Sequence, residues 1–165
     1  MEYRALGAVV CLSAMLGCTA IQMKLREPGS RLVDFPEAVA GEYDCAKRRL
    51  PFVKVEESEL NPERLRPGAQ LHHYFVYVMC PAIASEVING TLYTEIRVKG
   101  KAVYRDSVKQ ELQPGRWRID TFITLPEGAE SGMYALATRF ESSKGRFSFH
   151  SDFLVEPKRG LLRLP

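Results

Sequence analysis

The sequence is poor in cysteine, and no two of its four cysteines have the CxxC spacing. Without CxxC, CxxCH or a Cys/His cluster, it gives no support to a zinc ribbon, a thioredoxin-like redox site or an attached haem. It also lacks GxSxG, HExxH, a phosphate-binding glycine loop and a dinucleotide fingerprint. These absences remove the motif-based evidence for an enzyme, and we expect no metal and no cofactor.

The chain also lacks a strong excess of either positive or negative charge. The chain has 23 basic and 20 acidic residues, a formal net charge of +3, dispersed along its length. So small an excess does not favour a nucleic-acid-binding surface, and we expect no nucleic acid partner. Two short basic clusters occur, at residues 47–49 and at Lys158, Arg159 and Arg163. Each is interpreted as solvated surface, with contact to anionic headgroups or an acidic partner as the alternative.

A long apolar run is missing at the start of the chain. The uncharged run at residues 6–17, which follows Arg4, has about a dozen residues, whereas a membrane-spanning helix needs about 20. This shorter length is typical of the apolar core of a secretory signal. The sequence therefore predicts export rather than a simple transmembrane anchor.

Met15, Leu16 and Gly17 directly precede Cys18. This segment resembles the lipobox of bacterial lipoproteins, in which a large aliphatic residue, a small residue and then Gly or Ala precede an invariant cysteine. Leu16 stands where the small residue is usual. The resemblance implies a signal peptide at residues 1–17, cleavage after Gly17, and attachment of diacylglycerol to the sulfur of Cys18. An ordinary secretory signal cut nearby, or a buried N-terminal helix, is the alternative.

A lipid on Cys18 implies a membrane partner and an address in the bacterial cell envelope. Covalent acyl chains add about 0.8 kcal/mol of membrane affinity for each buried methylene group. By resemblance to enterobacterial lipoproteins, Thr19 in place of Asp favours the outer membrane, with the protein facing the periplasm.

The composition and pattern of the sequence change near residue 51. Residues 18–50 mix proline and glycine turn signals with scattered apolar residues, which indicates a lipidated N-terminus and a tether that partly packs on the domain. Residues 51–157 alternate β-branched and aromatic segments with turn signals at roughly ten-residue spacing, as expected for an all-β sandwich. Residues 158–165 form a basic and apolar tail, interpreted as either a contact or a frayed terminus.

Seven strands are predicted in the sandwich, and helix is expected to be scarce. The run ending at Cys80 is apolar enough for a central strand buried on both faces. Asn89 and Gly90 are expected to form a turn, and Lys99 and Gly100 another. The predicted strands are residues 52–60, 71–80, 91–100, 102–105, 117–125, 132–141 and 146–155.

Gly132, Tyr134 and Leu136 form a Gly-x-Tyr-x-aliphatic pattern before a final strand rich in Phe and Val. This pattern resembles bacterial immunoglobulin-like and fibronectin type III-like domains. The resemblance implies an immunoglobulin-like antiparallel β-sandwich of about seven strands. It also implies a tyrosine corner, in which the hydroxyl of Tyr134 bonds back to the loop at residues 127–131. Leu136 stands where antibody-type domains have their second core cysteine, so their inter-sheet disulfide is absent.

Two cysteines remain once Cys11 leaves with the signal and Cys18 carries lipid. Cys45 precedes the first predicted strand and Cys80 ends the second, and such positions lie side by side in an antiparallel pair. In an oxidising compartment we predict a disulfide bond between them, with two separately buried thiols as the alternative. Closing this loop stabilises the fold by about 3 to 4 kcal/mol on loop-entropy grounds.

The polar residues show no catalytic pattern, and we predict no catalytic residue. His72 and His73 are adjacent on one strand, so they point to opposite faces. Ser148, His150 and Asp152 lie in line on another strand, which is not the geometry of a triad. The acids expected to be solvated are Glu56, Glu57, Glu59, Glu127 and Glu130.

These observations favour a protein without enzymatic activity. We predict a membrane-anchored periplasmic or cell-envelope lipoprotein that binds another envelope protein as an assembly module of a larger complex. The alternative is a periplasmic domain that binds carbohydrate or peptide, or that inhibits a protease. A ligand groove would draw on aromatic residues that are equally usual in a core: Tyr74, Phe75, Tyr77, Tyr93, Tyr104 and Phe122.

Overall fold

Nine strands form within residues 29–157, the part of the chain that the computed structural model describes. The all-β prediction is confirmed, and the predicted count of seven strands is wrong. The signal peptide, Cys18 and the tail at 158–165 lie outside the described residues. The strands are β1 (Gly29–Asp34), β2 (Phe52–Asn61), β3 (Arg64–Leu65), β4 (Gln70–Cys80), β5 (Ile88–Val98), β6 (Lys101–Leu112), β7 (Gly115–Thr124), β8 (Gly132–Glu141) and β9 (Arg146–Val155).

The two unexpected strands, β1 and β3, lack a readable pattern. β1 pairs only with β7 and is mostly exposed, so its sequence does not alternate between buried and polar residues. β3 has two residues and pairs with β9. A seven-residue helix, α1 (Pro36–Glu42), begins with a proline, which suits the first helical turn, and buries Val39 alone. The chain therefore enters the first sheet at Gly29, and this part of the predicted tether packs on the domain.

The strands form two sheets that pack face to face. The first has the order β1-β7-β4-β2, and the second has the order β3-β9-β8-β5-β6. Neighbouring strands are antiparallel, except for the parallel pair β3 and β9. The prediction of a central strand ending at Cys80 is confirmed, since β4 lies between β2 and β7 and is buried from His73 onward. Within residues 29–157, no helix has the length and apolar character needed to cross a membrane.

Turn residues set the register of the hairpins. Lys99 and Gly100 have φ values of 51° and 77°, the left-handed pair that a two-residue hairpin turn requires, so the turn predicted there is confirmed. β6 then continues to Leu112, well beyond the predicted four residues. The turn predicted at Asn89 is wrong, because Gly90 lies within β5. A Cβ atom added at Gly90 would overlap the ring of Phe140, so the glycine serves packing there.

The sandwich has two ends. β7 and β9 both end at the same end, because Ile123 of the first sheet and the adjoining Leu125 pack in one core cluster with Tyr134 and Val155 of the second. We call this the proximal end, and it also carries the turn at 99–100 and the loop at 125–131. At the opposite, distal end, the predicted disulfide bond joins Cys45 to Cys80, with Cα atoms 5.7 Å apart.

Candidate functional site

The two long sides of the sandwich differ. On one side the ring of Phe75 lies 5.2 Å from that of Phe149, which closes the gap between β4 and β9. The other side is bordered by the edge strands β1 and β6, and we call it the open side. Large apolar side chains of these two strands remain exposed: Leu32, Val33, Val103, Tyr104 and Val108.

β6 is a long strand with a free edge. It pairs with β5 through eleven of its twelve residues, with a register shift at Val103, and no strand within residues 29–157 pairs with its other edge. Val103, Tyr104 and Val108 are 57%, 41% and 47% exposed. A long exposed edge with apolar side chains is a template on which another chain can add a strand.

Basic side chains stand along the same strand. Arg105 donates a hydrogen bond to Glu95 at 2.7 Å, and Lys109 donates one to the hydroxyl of Thr91 at 3.3 Å. Charges on an edge strand discourage pairing with uncharged strands. Arg105 is already paired with a carboxylate, and Glu111 stands two residues after Lys109 on the same strand.

A groove opens between the sheets at the proximal end of the open side. It has a volume of about 740 Å³, which is within the size range of small-molecule sites, and its surface is mostly apolar. One wall comes from the β5–β6 hairpin and the other from the end of β7 and the loop that follows it. The side chains that define the groove are Ile96, Val98, Val103, Tyr104, Ile123, Leu125 and Tyr134, with Lys99, Lys101 and Glu130 at its mouth.

Tyr134 fixes one wall of the groove. Its hydroxyl donates to the backbone carbonyl of Glu130 at 2.8 Å, within the loop where the resemblance places a tyrosine corner. Its ring is buried and lies 5.5 Å from the ring of Phe153. The loop is further held by the amide of Ala129, which donates to the carbonyl of Pro126 at 3.0 Å. The wall is thus an ordered backbone segment.

The two lysines at the mouth differ in their partners. Lys99 lies 3.1 Å from the carboxylate of Glu130, so its charge is neutralised. Lys101 is exposed, and no carboxylate within residues 29–157 approaches it within salt-bridge distance. The mouth therefore carries one uncompensated positive charge.

A paired network covers the outer face of the first sheet. His72 Nε2 lies 2.7 Å from Asp120 Oδ1, and Arg118 Nη2 donates to the same oxygen at 2.9 Å. Burial raises the pKa of Asp120, but the bonds from Arg118 and His72 outweigh it, so its pKa lies below the usual value. The Arg118 guanidinium lies 3.5 Å from the ring centroid of Tyr74, and His72 stacks on Phe122 at 4.6 Å.

The acids of β2 join this face, which the sequence analysis missed. The hydroxyl of Tyr74 lies 2.5 Å from a carboxylate oxygen of Glu57 and 2.5 Å from one of Glu59. Burial, and then these two carboxylates, raise the pKa of Tyr74 above its usual value. Glu57 and Glu59 are exposed, as predicted, and the bulge in β2 after Val55 also brings both acids onto the hydroxyl of Tyr74.

Arg116 forms a second cluster near the distal end. It binds Asp34 of β1, Glu42 of α1 at 2.8 Å and Glu56 of β2 at 2.7 Å. The bond from Arg116 lowers the pKa of Glu56, which also accepts a bond from Tyr43. Glu56 is therefore a structural ion-pair partner rather than a solvated acid, and the cluster joins the N-terminal segment to the first sheet.

The histidines do not assemble into a site. His73 points into the core, 3.4 Å from the hydroxyl of Ser58, and burial lowers its pKa to about 4. His72 lies on the opposite, outer face, as predicted. His150 lies on the exposed face of β9 between Ser148 and Asp152. Within residues 29–157, no three Cys, His, Asp or Glu side chains are grouped so as to hold a metal ion.

The aromatic residues considered for a ligand groove lie in four different places. Phe75 and Tyr77 are in the core. Tyr74 and Phe122 lie on the outer face of the first sheet, and Tyr93 lies under Arg139 on the outer face of the second. Tyr104 is the member of the set that lines the groove. Most of the groove comes from aliphatic side chains, which the sequence analysis did not single out.

No protein-family model matches the chain, and no curated protein matches it. Three solved structures illustrate its likeness to others. The Bacillus subtilis sporulation control protein Spo0M is 18% identical over 64% of this chain and 49% of its own, with a TM-score of 0.45. A family 123 glycoside hydrolase from Clostridium perfringens is 11% identical over 56% of this chain and 22% of its own, with a TM-score of 0.43.

The third is the Pseudomonas fluorescens alkylpurine DNA glycosylase AlkC, solved bound to DNA containing an abasic site analog. It is 10% identical over 64% of this chain and 30% of its own, with a TM-score of 0.49. The chain thus spans about half the length of Spo0M and less of the other two. Likeness at these values assigns neither a family nor an activity. The class that the fold defines is an all-β protein of two sheets with one open side.

Proposed function

We propose that this protein is a lipid-anchored envelope protein that binds another envelope protein by accepting one of its strands along β6. The observation that carries the proposal is the free edge of β6, twelve residues long, with Val103, Tyr104 and Val108 exposed. Added strands gain affinity from main-chain hydrogen bonds and specificity from alternate side chains.

The other edge strands are poorer templates. β1 has six residues and its register is interrupted before Asp34, where Arg116 binds it. β2 contains a bulge after Val55, and bulges end regular pairing. β3 has two residues. β6 has a register shift of its own at Val103, but its pairing is uninterrupted from Tyr104 to Leu112, which is the longest regular edge within residues 29–157.

The proposal includes an immunoglobulin-like sandwich, supported by the bond from Tyr134 to Glu130. It includes lipid on Cys18, for which the support is the lipobox-like sequence before that residue. It includes no catalysis, because the charged clusters around Arg116 and Asp120 are paired among themselves instead of converging on a cavity.

The lipid anchor is tested in membranes of the source bacterium with wild type and Cys18→Ser. We expect wild type to resist carbonate extraction and to have a diacylglyceryl mass on an N-terminal Cys18. We expect Cys18→Ser to leave the membrane fraction. An unmodified N-terminus, or a wild-type protein that is found only in the soluble fraction, would contradict the lipoprotein proposal.

Strand addition is tested with Val108→Lys, which puts a charge on the free edge without touching the groove. Met133→Lys is the matched control, because Met133 is 60% exposed but lies on the internal strand β8. We expect affinity purification from mild detergent to recover the same partner with wild type and Met133→Lys, and to lose it with Val108→Lys. In the complex, hydrogen exchange should slow at the amides of β6. Equal recovery with both variants, or unchanged exchange in β6, contradicts strand addition.

A further inference from the structure

The groove at the proximal end has features that strand addition does not use. Its apolar walls lie between the sheets, whereas an added strand occupies the outer edge of β6. Two large side chains of the groove, Val103 and Tyr104, are 57% and 41% exposed. Apolar area left in water is unfavourable in free energy, and an occupant that covers it would remove it from water. An apolar ligand in the groove would recover that free energy.

The polar groups restrict what kind of ligand fits. The hydroxyl of Tyr134 is already engaged by the carbonyl of Glu130, so the polar groups that remain are the hydroxyls of Tyr104 and Thr124 and the charged side chains at the mouth. The charge of Lys99 is matched by Glu130. Lys101, exposed at the mouth, is left as one positive charge without a carboxylate partner among residues 29–157. An apolar body with a single negative charge at one end matches this arrangement.

We propose that the groove binds a long-chain carboxylate, with its hydrocarbon chain between the β5–β6 hairpin and the loop at 125–131 and its carboxylate at Lys101. The proposal commits to a free ligand. The lipid that the sequence implies on Cys18 is a diacylglyceryl group, which has no charge to place at Lys101. A carboxylate at the mouth forms an exposed ion pair, and the chain supplies most of the affinity through burial. This inference does not depend on the partner proposed for β6.

The test uses the full chain in phosphatidylcholine vesicles, with photoreactive hexadecanoate as the probe. After illumination, labelled peptides are identified by mass spectrometry. We expect labelling in the peptides that contain residues 96–104 and 123–130, saturating with probe concentration. Photoreactive hexadecanol, which has the same chain without the charge, should label them about fivefold less, since an exposed ion pair is worth up to about 1 kcal/mol.

Matched variants separate the groove from the rest of β6. Val103→Asp places a charge in the groove and should reduce labelling about tenfold or more, because an apolar wall disfavours a charge. Val108→Asp is its control, because Val108 is 47% exposed on the same strand but lies outside the groove, and it should label like wild type. Lys101→Glu should reduce labelling about fivefold, whereas Lys109→Glu should leave it unchanged. Thermal unfolding of each variant verifies that the fold is intact.

Several outcomes overturn the proposal. Labelling confined to peptides outside the groove assigns the probe to the bilayer. Equal labelling by hexadecanol, or by Lys101→Glu, removes the carboxylate assignment. Groove labelling that arises only in Cys18→Ser means that the chain's own lipid occupies the groove. Loss of labelling in Val108→Asp as well as Val103→Asp means that the probe follows the free edge of β6, and not the groove.

Discussion

The closed and open sides of this sandwich are built from the same two sheets, yet they bury their apolar residues to different extents. On the closed side, Phe75 packs against Phe147 and Phe149 at 5.9 and 5.2 Å, and Phe75 is 1% exposed. On the open side, Val108 of β6 and Leu32 of β1 are 47% and 37% exposed.

Strand length accounts for much of this difference. The second sheet ends in the twelve-residue β6, whereas the first sheet ends on the same side in the six-residue β1. The longer strand therefore presents residues that no equally long strand covers. On the closed side, aromatic rings fill the space between the sheets, because β4 and β9 both run the full length of the sandwich. The comparison teaches that apolar burial is concentrated on one side of the sandwich and exposed apolar surface on the other.

Phe75→Ala gives the largest expected effect. Removing a fully buried phenylalanine from the closed side should lower the free energy of unfolding by about 3 to 5 kcal/mol, as measured by urea denaturation. Phe35→Ala is the matched control, because Phe35 is 68% exposed, and should change it by about 0.5 kcal/mol or less. Similar midpoints for the two variants would mean that the closed side is not the stable side.

The disulfide bond at the distal end gives the second effect. Replacing Cys45 and Cys80 together by alanine opens a loop of sequence separation 35, which should cost about 3 to 4 kcal/mol on loop-entropy grounds. Hydrogen exchange should rise most in residues 29–47, which reach the first sheet through this bond, through Arg116 and through β1. A larger rise in residues 146–155 would show that the bond supports the closed side instead.

Much of the fold was predictable from the sequence, and the reasons are local. β4, β8 and β9 are long apolar or alternating segments, and clear turn signals flank them. All three were therefore predicted, with bounds close to the observed ones. β6 was predicted too short, because its middle residues are exposed on both faces and therefore show no alternation. β1 and α1 are short segments held by tertiary contacts, which leave no periodic pattern.

The candidate site was predictable only in part. Tyr134 could be placed from its motif, because a tyrosine corner depends on neighbouring residues. The groove depends on which strands end at the proximal end of the open side, and that is a property of the sheet order. Glu56 pairs with Arg116, and Asp120 pairs with His72. In each case the two residues are far apart in the sequence, so their spacing does not predict the contact.

A histidine in the core makes the closed side sensitive to acid. Burial, and then the charge of His72, lower the pKa of His73 to about 4, from the usual value of about 6.5. The unfolded chain therefore takes up a proton before the folded one, so stability is lost as the pH falls from about 6.5 to about 4, by about 2 kcal/mol at pH 5. Urea denaturation between pH 7 and pH 5 measures this loss.

Variants assign the pH dependence to its residue. His73→Phe should abolish the part of the loss that lies between pH 6.5 and pH 5, whereas His150→Phe, at an exposed position of β9, should retain it. The carboxyl groups of Glu56 and Asp120 have lowered pKa values and affect stability only in stronger acid. A pH dependence that persists in His73→Phe would place its origin outside the closed side.

The smallest expected effect is the most informative about the open side. Val108→Thr removes apolar character from the free edge of β6 and keeps the β-branched shape that favours a strand. Because Val108 is 47% exposed, the free energy of unfolding should change by about 0.5 kcal/mol or less in urea denaturation. An exposed valine that adds nothing to stability is then explained by what binds there. A loss above about 1 kcal/mol would instead make Val108 part of the fold, and its exposure would no longer point to a partner.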